Sequence, residues 1–358
     1  MRRGIVVYLL LGIGVFLLVL APLLRFFVYP KVAKLPLDPY NISELTGTGA
    51  TYLDQSNGKT VTGADITAWN ETRGDVASGN KTRMVWEGQT TVVASDGQSL
   101  PTVNSKGEVV GLVTPIGRTR VPMDRKTAAA IACCGEEPTG HDGSLTFNFP
   151  MGTERKTYRY WDDTALKPAP VQFVRSTNLG GLKVYEFLGT TPLTKVRSLD
   201  VPGSVVNRPQ QSVPVDQYYE NLERRLWVEP TSGAIVKAVT YPSVTLRDQT
   251  TAEKLATVFE VRLEMVEKIP ASVRTEAEAS KDNPKLADAL SGSFDLRKRA
   301  QDGAAQLRLV KTTLPLIALI LGLVLVVVAV LLFLSNRRPG QHRMGATQPD
   351  DTYDPVSA

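Results

Sequence analysis

The stretch LPLIALILGLVLVVVAVLLFL, residues 314–334, decides what kind of protein this chain is. It lies between Lys311 and the pair Arg337 and Arg338, and no charged side chain interrupts it. At roughly 1.5 Å of rise per residue, a helix of this length crosses the roughly 30 Å of hydrocarbon in a bilayer. A soluble helix that is apolar on every face would need protein all around it. The stretch therefore predicts a transmembrane helix over residues 312–336.

A second uncharged stretch lies near the start of the chain, at residues 4–24, with Arg2 and Arg3 before it and Arg25 after it. The alternative is a cleaved signal peptide, whose apolar region is about 7 to 15 residues long and ends in a small-x-small cleavage site. This stretch is longer and ends without a convincing site of that kind. We therefore expect an uncleaved transmembrane helix.

Two spans place both tails on one side of a membrane and the rest of the chain on the other. The positive-inside rule applies to short flanking segments, whereas long domains are translocated largely regardless of charge. The short tails carry arginines beside both spans. We therefore expect a two-pass plasma membrane protein with cytoplasmic tails at residues 1–3 and 337–358, the second of them disordered. Residues 25–311 are then extracytoplasmic.

The region between the spans has the pattern of a β-rich domain. Two hairpins are predicted, at residues 171–187 and 226–237, because strand-forming residues flank turn-rich junctions. Residues 255–266 alternate apolar and polar side chains with period two, which favours a strand over a helix. Shorter strands are predicted at residues 84–86, 90–93, 109–113 and 145–150. The fold class predicted is a β-rich α+β extracytoplasmic domain, a curved sheet or barrel, between N- and C-terminal transmembrane helices.

Helix is predicted only late in this domain. Residues 271–289 are rich in Ala, Glu, Lys and Leu, and residues 293–311 continue towards the second span. Together they predict a helical stalk from about residue 270.

Composition and motifs exclude several classes of function. The two tails, residues 1–25 and 335–358, hold six basic and three acidic residues, which leaves 35 basic against 33 acidic residues between them. A net charge this small over the whole domain predicts no nucleic-acid partner. No phosphate-binding loop or zinc-ligand spacing occurs, and no Gly-x-Ser-x-Gly elbow accompanies His141, which we interpret as part of a polar turn with Asp142. The adjacent carboxylates Asp162 and Asp163 are typical of a solvated turn. We therefore expect no catalytic residue, metal or cofactor, and no enzyme.

The two cysteines, Cys133 and Cys134, are adjacent. A disulfide between them would hold their Cα atoms about 3.8 Å apart, below the usual range of about 4.4 to 6.8 Å. An oxidising exterior permits such a bond. Two reduced thiols and cross-links to other chains are the alternatives.

Three stretches carry a family resemblance: FNFPMGTERKTY at residues 147–158, YWD at residues 160–162 and GLKVYEF at residues 181–187. They resemble the actinobacterial porin PorA family, an envelope family with a domain of unknown function. The resemblance covers nearly the whole chain and implies two membrane anchors around a large β-rich domain. This topology is distantly similar to that of class B scavenger receptors, whose ectodomain encloses a lipid tunnel.

The hairpin at residues 227–233 is also similar to one in periplasmic lipoprotein carriers that hold acyl chains in a half-open β barrel, and both analogies point to lipid. We expect the external domain to bind or transfer a long-chain lipid or glycolipid, because each buried methylene contributes about 0.8 kcal/mol. The resemblance implies a mycolate-type glycolipid and a transporter partner in the same membrane. The alternatives are a structural scaffold for envelope or division machinery, a porin-like role and an envelope hydrolase. Candidate lining residues are the aromatic side chains of the best strands: Phe147, Phe149, Phe173, Tyr185, Phe187, Trp227 and Phe259.

Overall fold

The computed structural model describes residues 2–54, 57–94, 105–106, 111–141, 143–266 and 296–335. The chain divides into two compact units, Met1–Val28 with Val310–Ala358 and Tyr29–Leu309. Several predicted features lie outside the described residues: the helix at residues 271–289, residues 109–110 of a strand, Asp142, and the tail at residues 337–358.

Helices occur at both ends of the chain. The described α-helices are α1 (Arg2–Pro22), α2 (Tyr29–Val32), α3 (Leu296–Arg308) and α4 (Leu314–Ser335). Two segments of π-helix, Leu23–Val28 and Leu309–Thr313, follow α1 and precede α4.

In the first unit, α1 and α4 pack against each other at two glycines. A methyl group at Gly14 would lie 2.8 Å from Cγ2 of Val326, and one at Gly322 would lie 2.8 Å from the carbonyl oxygen of Gly14. Glycine therefore allows the close backbone approach that membrane helices use. The helices Ile5–Val32 and Leu296–Ser335 are long and apolar enough to cross a membrane. The two predicted spans are thus candidate membrane-spanning helices in the structure.

The second unit is built on one antiparallel sheet. Strands β1 to β4 form one meander and strands β5 to β10 form another. The two meanders are joined where β1 pairs with β10, and β11 pairs with both β1 and β9. The strands are β1 (Tyr40–Asp54), β2 (Lys59–Gly74), β3 (Arg83–Ala94), β4 (Gly117–Asp124), β5 (Tyr158–Asp162), β6 (Lys167–Leu179), β7 (Leu182–Pro202), β8 (Ser212–Val228), β9 (Ile235–Asp248), β10 (Lys254–Glu260) and β11 (Leu263–Met265). The β-rich domain predicted between two helices is confirmed.

The edge strands of this sheet, β4 and β5, are linked by residues 125–157. Within this segment, Glu137 exchanges backbone hydrogen bonds with Arg120 of β4. Leu145 pairs with Tyr160 of β5. Part of each edge is therefore covered, which removes backbone groups that would otherwise pair with another chain.

Buried apolar side chains form two main clusters on one face of the sheet. The first cluster joins β3 and β4 to β6, β7 and β8, and the second joins β1, β2 and β3 to β8, β9 and β10. Strands β3 and β4 lie near one edge of the sheet, and β6 and β7 lie near the other. Their side chains can share one core only if the sheet curls. We call the face that carries both clusters the inner face; on β3 it includes Trp86 of the first cluster and Val92 of the second.

Two predicted strands join into one. Residues 84–86 and 90–93 both belong to β3, which runs through Gly88 without a turn. A Cβ at Gly88 would lie 2.7 Å from Cε1 of Phe147. This glycine therefore accommodates an aromatic ring instead of making a turn.

The prediction of a regular strand at residues 145–150 is wrong, because no regular strand forms there. Leu145 forms an isolated bridge with β5, and the backbone N–H of Phe149 donates to the carbonyl of Gly233, at 2.9 Å. The period-two pattern here reflects packing against two different elements. The strand predicted at residues 255–266 is interrupted after Glu260, so it becomes β10 and β11.

Both predicted hairpins are present, as β6–β7 and β8–β9. The described part of the predicted stalk, α3, packs against the domain through Ala300, which joins a small cluster with Leu182 and Val236. Arg308 at the end of α3 forms an ion pair with the buried carboxylate of Glu229, at 3.2 Å.

Candidate functional site

The seven aromatic residues predicted to line a lipid site occupy three places. Phe259 is buried in the second apolar cluster, and Trp227 borders the small cluster beside α3, under the ammonium group of Lys237 at 5.4 Å. The remaining five meet in or against the first apolar cluster: Phe147, Phe149, Phe173, Tyr185 and Phe187.

Phe149 and Phe187 form the closed part of this aromatic group. Both side chains are fully buried, and their ring centroids lie 4.8 Å apart. Tyr158 meets both rings edge-on, at 5.2 and 5.7 Å. Aromatic pairs of this geometry stabilise a core beyond the area they bury. These two rings are therefore surrounded by other side chains.

Phe173 and Tyr185 form the open part. They are half-buried, on neighbouring strands, and their rings meet edge to face at 5.4 Å. The guanidinium group of Arg155, an exposed residue, lies 5.3 Å from the Tyr185 ring and 5.9 Å from the Phe173 ring. A cation over an aromatic face is attracted by the ring quadrupole. Aromatic and cationic surface thus adjoin at one place.

A second cation borders the same group. Lys156 Nζ lies 5.4 Å from the Tyr158 ring and 2.7 Å from Oε2 of Glu154. The hydrogen bond to Glu154 raises the pKa of Lys156, and burial raises the pKa of Tyr158. We call the following residues the aromatic–basic patch: Arg155, Lys156, Tyr158, Phe173 and Tyr185.

The loop that carries the two cations is fixed by the β8–β9 hairpin. The backbone N–H of Thr153 donates to the carbonyl of Pro230 at 2.7 Å, and that of Gly152 donates to the carbonyl of Thr231 at 3.1 Å. Gly152 has a φ of 78°, a left-handed conformation that glycine adopts without strain. The loop therefore presents Arg155 from a fixed backbone.

A buried polar cluster lies at the end of β5. The carboxylate of Asp162 accepts hydrogen bonds from Thr191 at 2.7 Å, Tyr219 at 3.0 Å and Arg224 at 2.8 Å. Burial alone would raise the pKa of Asp162, but the charge of Arg224 and the hydrogen bonds outweigh it and lower the pKa. Asp162 is therefore a satisfied structural anion and not the solvated turn residue predicted.

The neighbouring carboxylate, Asp163, is different. It is exposed to solvent and accepts a hydrogen bond from Thr119 Oγ1 of β4 at 2.9 Å. This bond connects the end of β5 to β4, the opposite edge strand of the sheet.

His141 is fully buried, and its carbonyl accepts a hydrogen bond from the backbone N–H of Ser144, at 2.8 Å. Its Nδ1 lies 3.0 Å from Oε1 of Glu136, and its ring stacks on Trp161 with centroids 3.9 Å apart. Its Nε2 has no hydrogen-bond partner among the described residues. A carboxylate–histidine pair orients a catalytic base only if a nucleophile adjoins the free nitrogen, and the described part of the chain supplies none.

The model of the Porin PorA family matches residues 6–331. The chain belongs to the Porin PorA family. It is 24% identical, over 95% of its length, to Porin PorA of Corynebacterium resistens, covering 99% of that protein. It is 25% identical to Porin PorA of Corynebacterium amycolatum over 53% of this chain and 54% of that one. The resemblance to the PorA family seen in the sequence is thereby confirmed.

In this PorA-family chain the two adjacent cysteines are joined as a vicinal disulfide between Cys133 and Cys134. The pair lies in the segment that links the two edge strands. Cys134 has a φ of 63°, and Gly135 after it has a φ of 76°. Both cysteines therefore lie in a tight turn.

Sequence reasoning missed Arg155, Lys156 and Tyr158 as members of the patch of this PorA-family chain. All three lie in the FNFPMGTERKTY stretch that carried the family resemblance. The available signal was two consecutive cations between aromatic residues, a pattern that does not by itself place a cation over a ring. The hairpin contacts that position the loop are long-range and are not readable from local sequence.

Proposed function

We propose that this PorA-family protein binds a long-chain lipid or glycolipid at the membrane through its aromatic–basic patch. One observation carries the proposal: half-buried rings at Phe173 and Tyr185 lie directly under the exposed guanidinium of Arg155. Apolar ring surface suits the hydrocarbon of an amphiphile, and the cation suits a phosphate or carboxylate in its head group. The protein would thus hold the lipid at the point where its hydrocarbon chain joins its head group.

Membrane attachment supports the same proposal. Both ends of the β-rich unit continue in sequence into helices that can span a membrane. A tethered domain meets membrane lipids at high effective concentration. We place the protein in the plasma membrane, with the β-rich unit extracytoplasmic and a transporter in the same membrane as its partner.

The proposal predicts a lipid that co-purifies with the full-length protein. In phosphatidylcholine nanodiscs that contain photoactivatable phosphatidylglycerol, cross-links should map to peptides within residues 155–187. The triple variant R155A/F173A/Y185A should lose most of this cross-linking. A matched control is R247A/Y218A, which removes another arginine over a tyrosine ring, at 5.6 Å, and should cross-link like the wild type.

Two results would overturn the proposal. One is solvent extraction and mass spectrometry that find no more lipid on the wild type than on the triple variant. The other is cross-linking spread evenly along the chain. Thermal unfolding of each variant checks that lost binding is not lost folding.

The name of the family and of both relatives favours a second candidate, a pore. A channel through the membrane would require several copies, because two helices that pack directly against each other enclose no passage. Stepwise conductance of the purified protein in planar bilayers would establish it. Lipid binding without conductance would favour the first proposal.

A further inference from the structure

A polar groove lies on β2, β3 and β4, on the face opposite the inner face. Its volume is about 350 Å³. That is at the lower end of the range for small-molecule sites. Its main side chains are Glu71, Arg73, Glu87, Gln89, Arg118 and Arg120. None of these belongs to the aromatic–basic patch, so the groove is independent of the function proposed above.

The sheet register arranges these six side chains in two rows. Arg73 is opposite Glu87, and Glu87 is opposite Arg120. Glu71 is opposite Gln89, and Gln89 is opposite Arg118. Residues directly opposite one another in a sheet share a face. The first row is therefore Arg73–Glu87–Arg120, and the second row is Glu71–Gln89–Arg118.

The first row is closed by its own ion pairs. Arg73 Nε lies 2.9 Å from Glu87 Oε2, and Arg120 bonds to both Glu87 and Asp75. Ser78 and Arg120 donate to the carboxylate of Asp75 and lower its pKa to about 2. These bonds occupy the charged groups of the first row, which forms one wall of the groove.

The second row is open. Glu71 interacts with Tyr40, whose pKa is raised to about 12 by burial and then by the charge of Glu71. Gln89 and Arg118 make no side-chain hydrogen bond or ion pair within the part of the chain that the structure describes. Their amide and guanidinium groups face the groove with unused donors and one unused carbonyl acceptor.

The charges of the groove cancel. Three arginines line it, and three glutamates balance them: Glu71, Glu87 and Glu137. A phosphate would need surplus positive charge, an acyl chain would need apolar walls, and no metal-binding group of His, Cys, Asp or Glu occurs among the described residues. Balanced charges and polar walls suit a neutral molecule whose groups both donate and accept hydrogen bonds.

We infer that this groove binds a neutral saccharide of one or two sugar units. Each sugar hydroxyl both donates and accepts a hydrogen bond, which matches a wall where carboxylate, amide and guanidinium groups alternate. The closed first row needs no reordering on binding, and such preorganisation favours affinity. Gln89 and Arg118 of the second row would supply the new hydrogen bonds.

The test uses the full-length protein in phosphatidylcholine nanodiscs, because the maltose head group of a maltoside detergent would compete with the added sugar. Saturation-transfer NMR titrations with maltose and cellobiose measure binding, with glucuronate as a charged comparison. The variant Q89A/R118A should weaken binding of the neutral disaccharide at least tenfold. The control R197A/Q217A removes a cross-strand Arg–Gln pair bonded at 2.8 Å on β7 and β8, and it should bind within twofold of the wild type.

Three results would overturn the inference: no saturation transfer to maltose or cellobiose in the wild type, binding by Q89A/R118A equal to that of the wild type, or binding of glucuronate alone. If Q89A/R118A fails to fold by circular dichroism, the single variant R118A replaces it, because Arg118 is exposed. The same tenfold criterion then applies to R118A.

Discussion

Glu44 gives the sharpest prediction about stability. It lies on β1 and is 1% exposed, and neither carboxylate oxygen has a hydrogen-bond partner among the described residues. Burial raises its pKa from the ordinary 4.5 to about 7. An ionised carboxylate without partners is costly to bury, so the folded protein holds the proton more tightly than the unfolded chain does.

The sign of the pH effect follows directly. Between pH 4.5 and about 7 the unfolded chain has released the proton of Glu44 while the folded protein retains it, so stability falls as the pH rises. Each unit of pKa difference corresponds to about 1.4 kcal/mol, which gives a loss of roughly 3 kcal/mol above pH 7. Glutamine has nearly the same shape and cannot ionise. The variant E44Q should therefore be more stable than the wild type at pH 8 and similar to it at pH 4.5.

Thermal unfolding of the purified full-length protein, followed by tryptophan fluorescence at pH 5 and pH 8, measures this effect. We expect E44Q to unfold about 6 °C or more above the wild type at pH 8. The control E253Q alters an exposed carboxylate and should follow the wild type. The reasoning is refuted if E44Q and the wild type lose stability in parallel between the two pH values.

Two further predictions concern packing and buried charge. Replacing Gly14 by leucine should destabilise the α1–α4 pair by about 1 to 3 kcal/mol, measured as a lower unfolding temperature, whereas Gly12→Leu should have little effect because open space surrounds Gly12. Asp162→Ala should cost about 3 to 5 kcal/mol because it leaves the Arg224 guanidinium buried without its carboxylate. Denaturant titration measures that loss, and a loss equal to that of exposed Asp200→Ala would contradict it.

Local pattern was sufficient for the hairpins and the apolar spans. Gly180 and Gly181 both have positive φ at the β6–β7 turn, where the sequence places two glycines between strand-forming runs. The strands predicted at residues 84–86 and 90–93 were not joined because local sequence does not show whether the Gly88 between them makes a turn or leaves room for a ring. The Phe147 ring that occupies this room comes from a distant part of the chain. Such contacts are set by tertiary packing.

The candidate site likewise has some members that local sequence predicts and others that only tertiary contacts place. The aromatic members Phe173 and Tyr185 follow from strand pattern, but the position of Arg155 depends on backbone bonds from its loop to the β8–β9 hairpin. Carboxylates show the limit most clearly: Asp162 and Asp163 are adjacent in sequence, yet one is buried in an ion pair and the other is exposed. Burial and partners, which decide the pKa of each, are properties of the folded chain.

The sequence by itself determined that this is a membrane protein with a β-rich domain between two apolar helices, and it carried the resemblance to the PorA family. These features are written in uninterrupted hydrophobic runs and in period-two alternation, which are local. The tertiary structure decided how the sheet curls, which aromatic rings meet a cation, and that Gln89 and Arg118 form the open row of a neutral groove. Those features depend on strand register between distant segments, which local sequence does not specify.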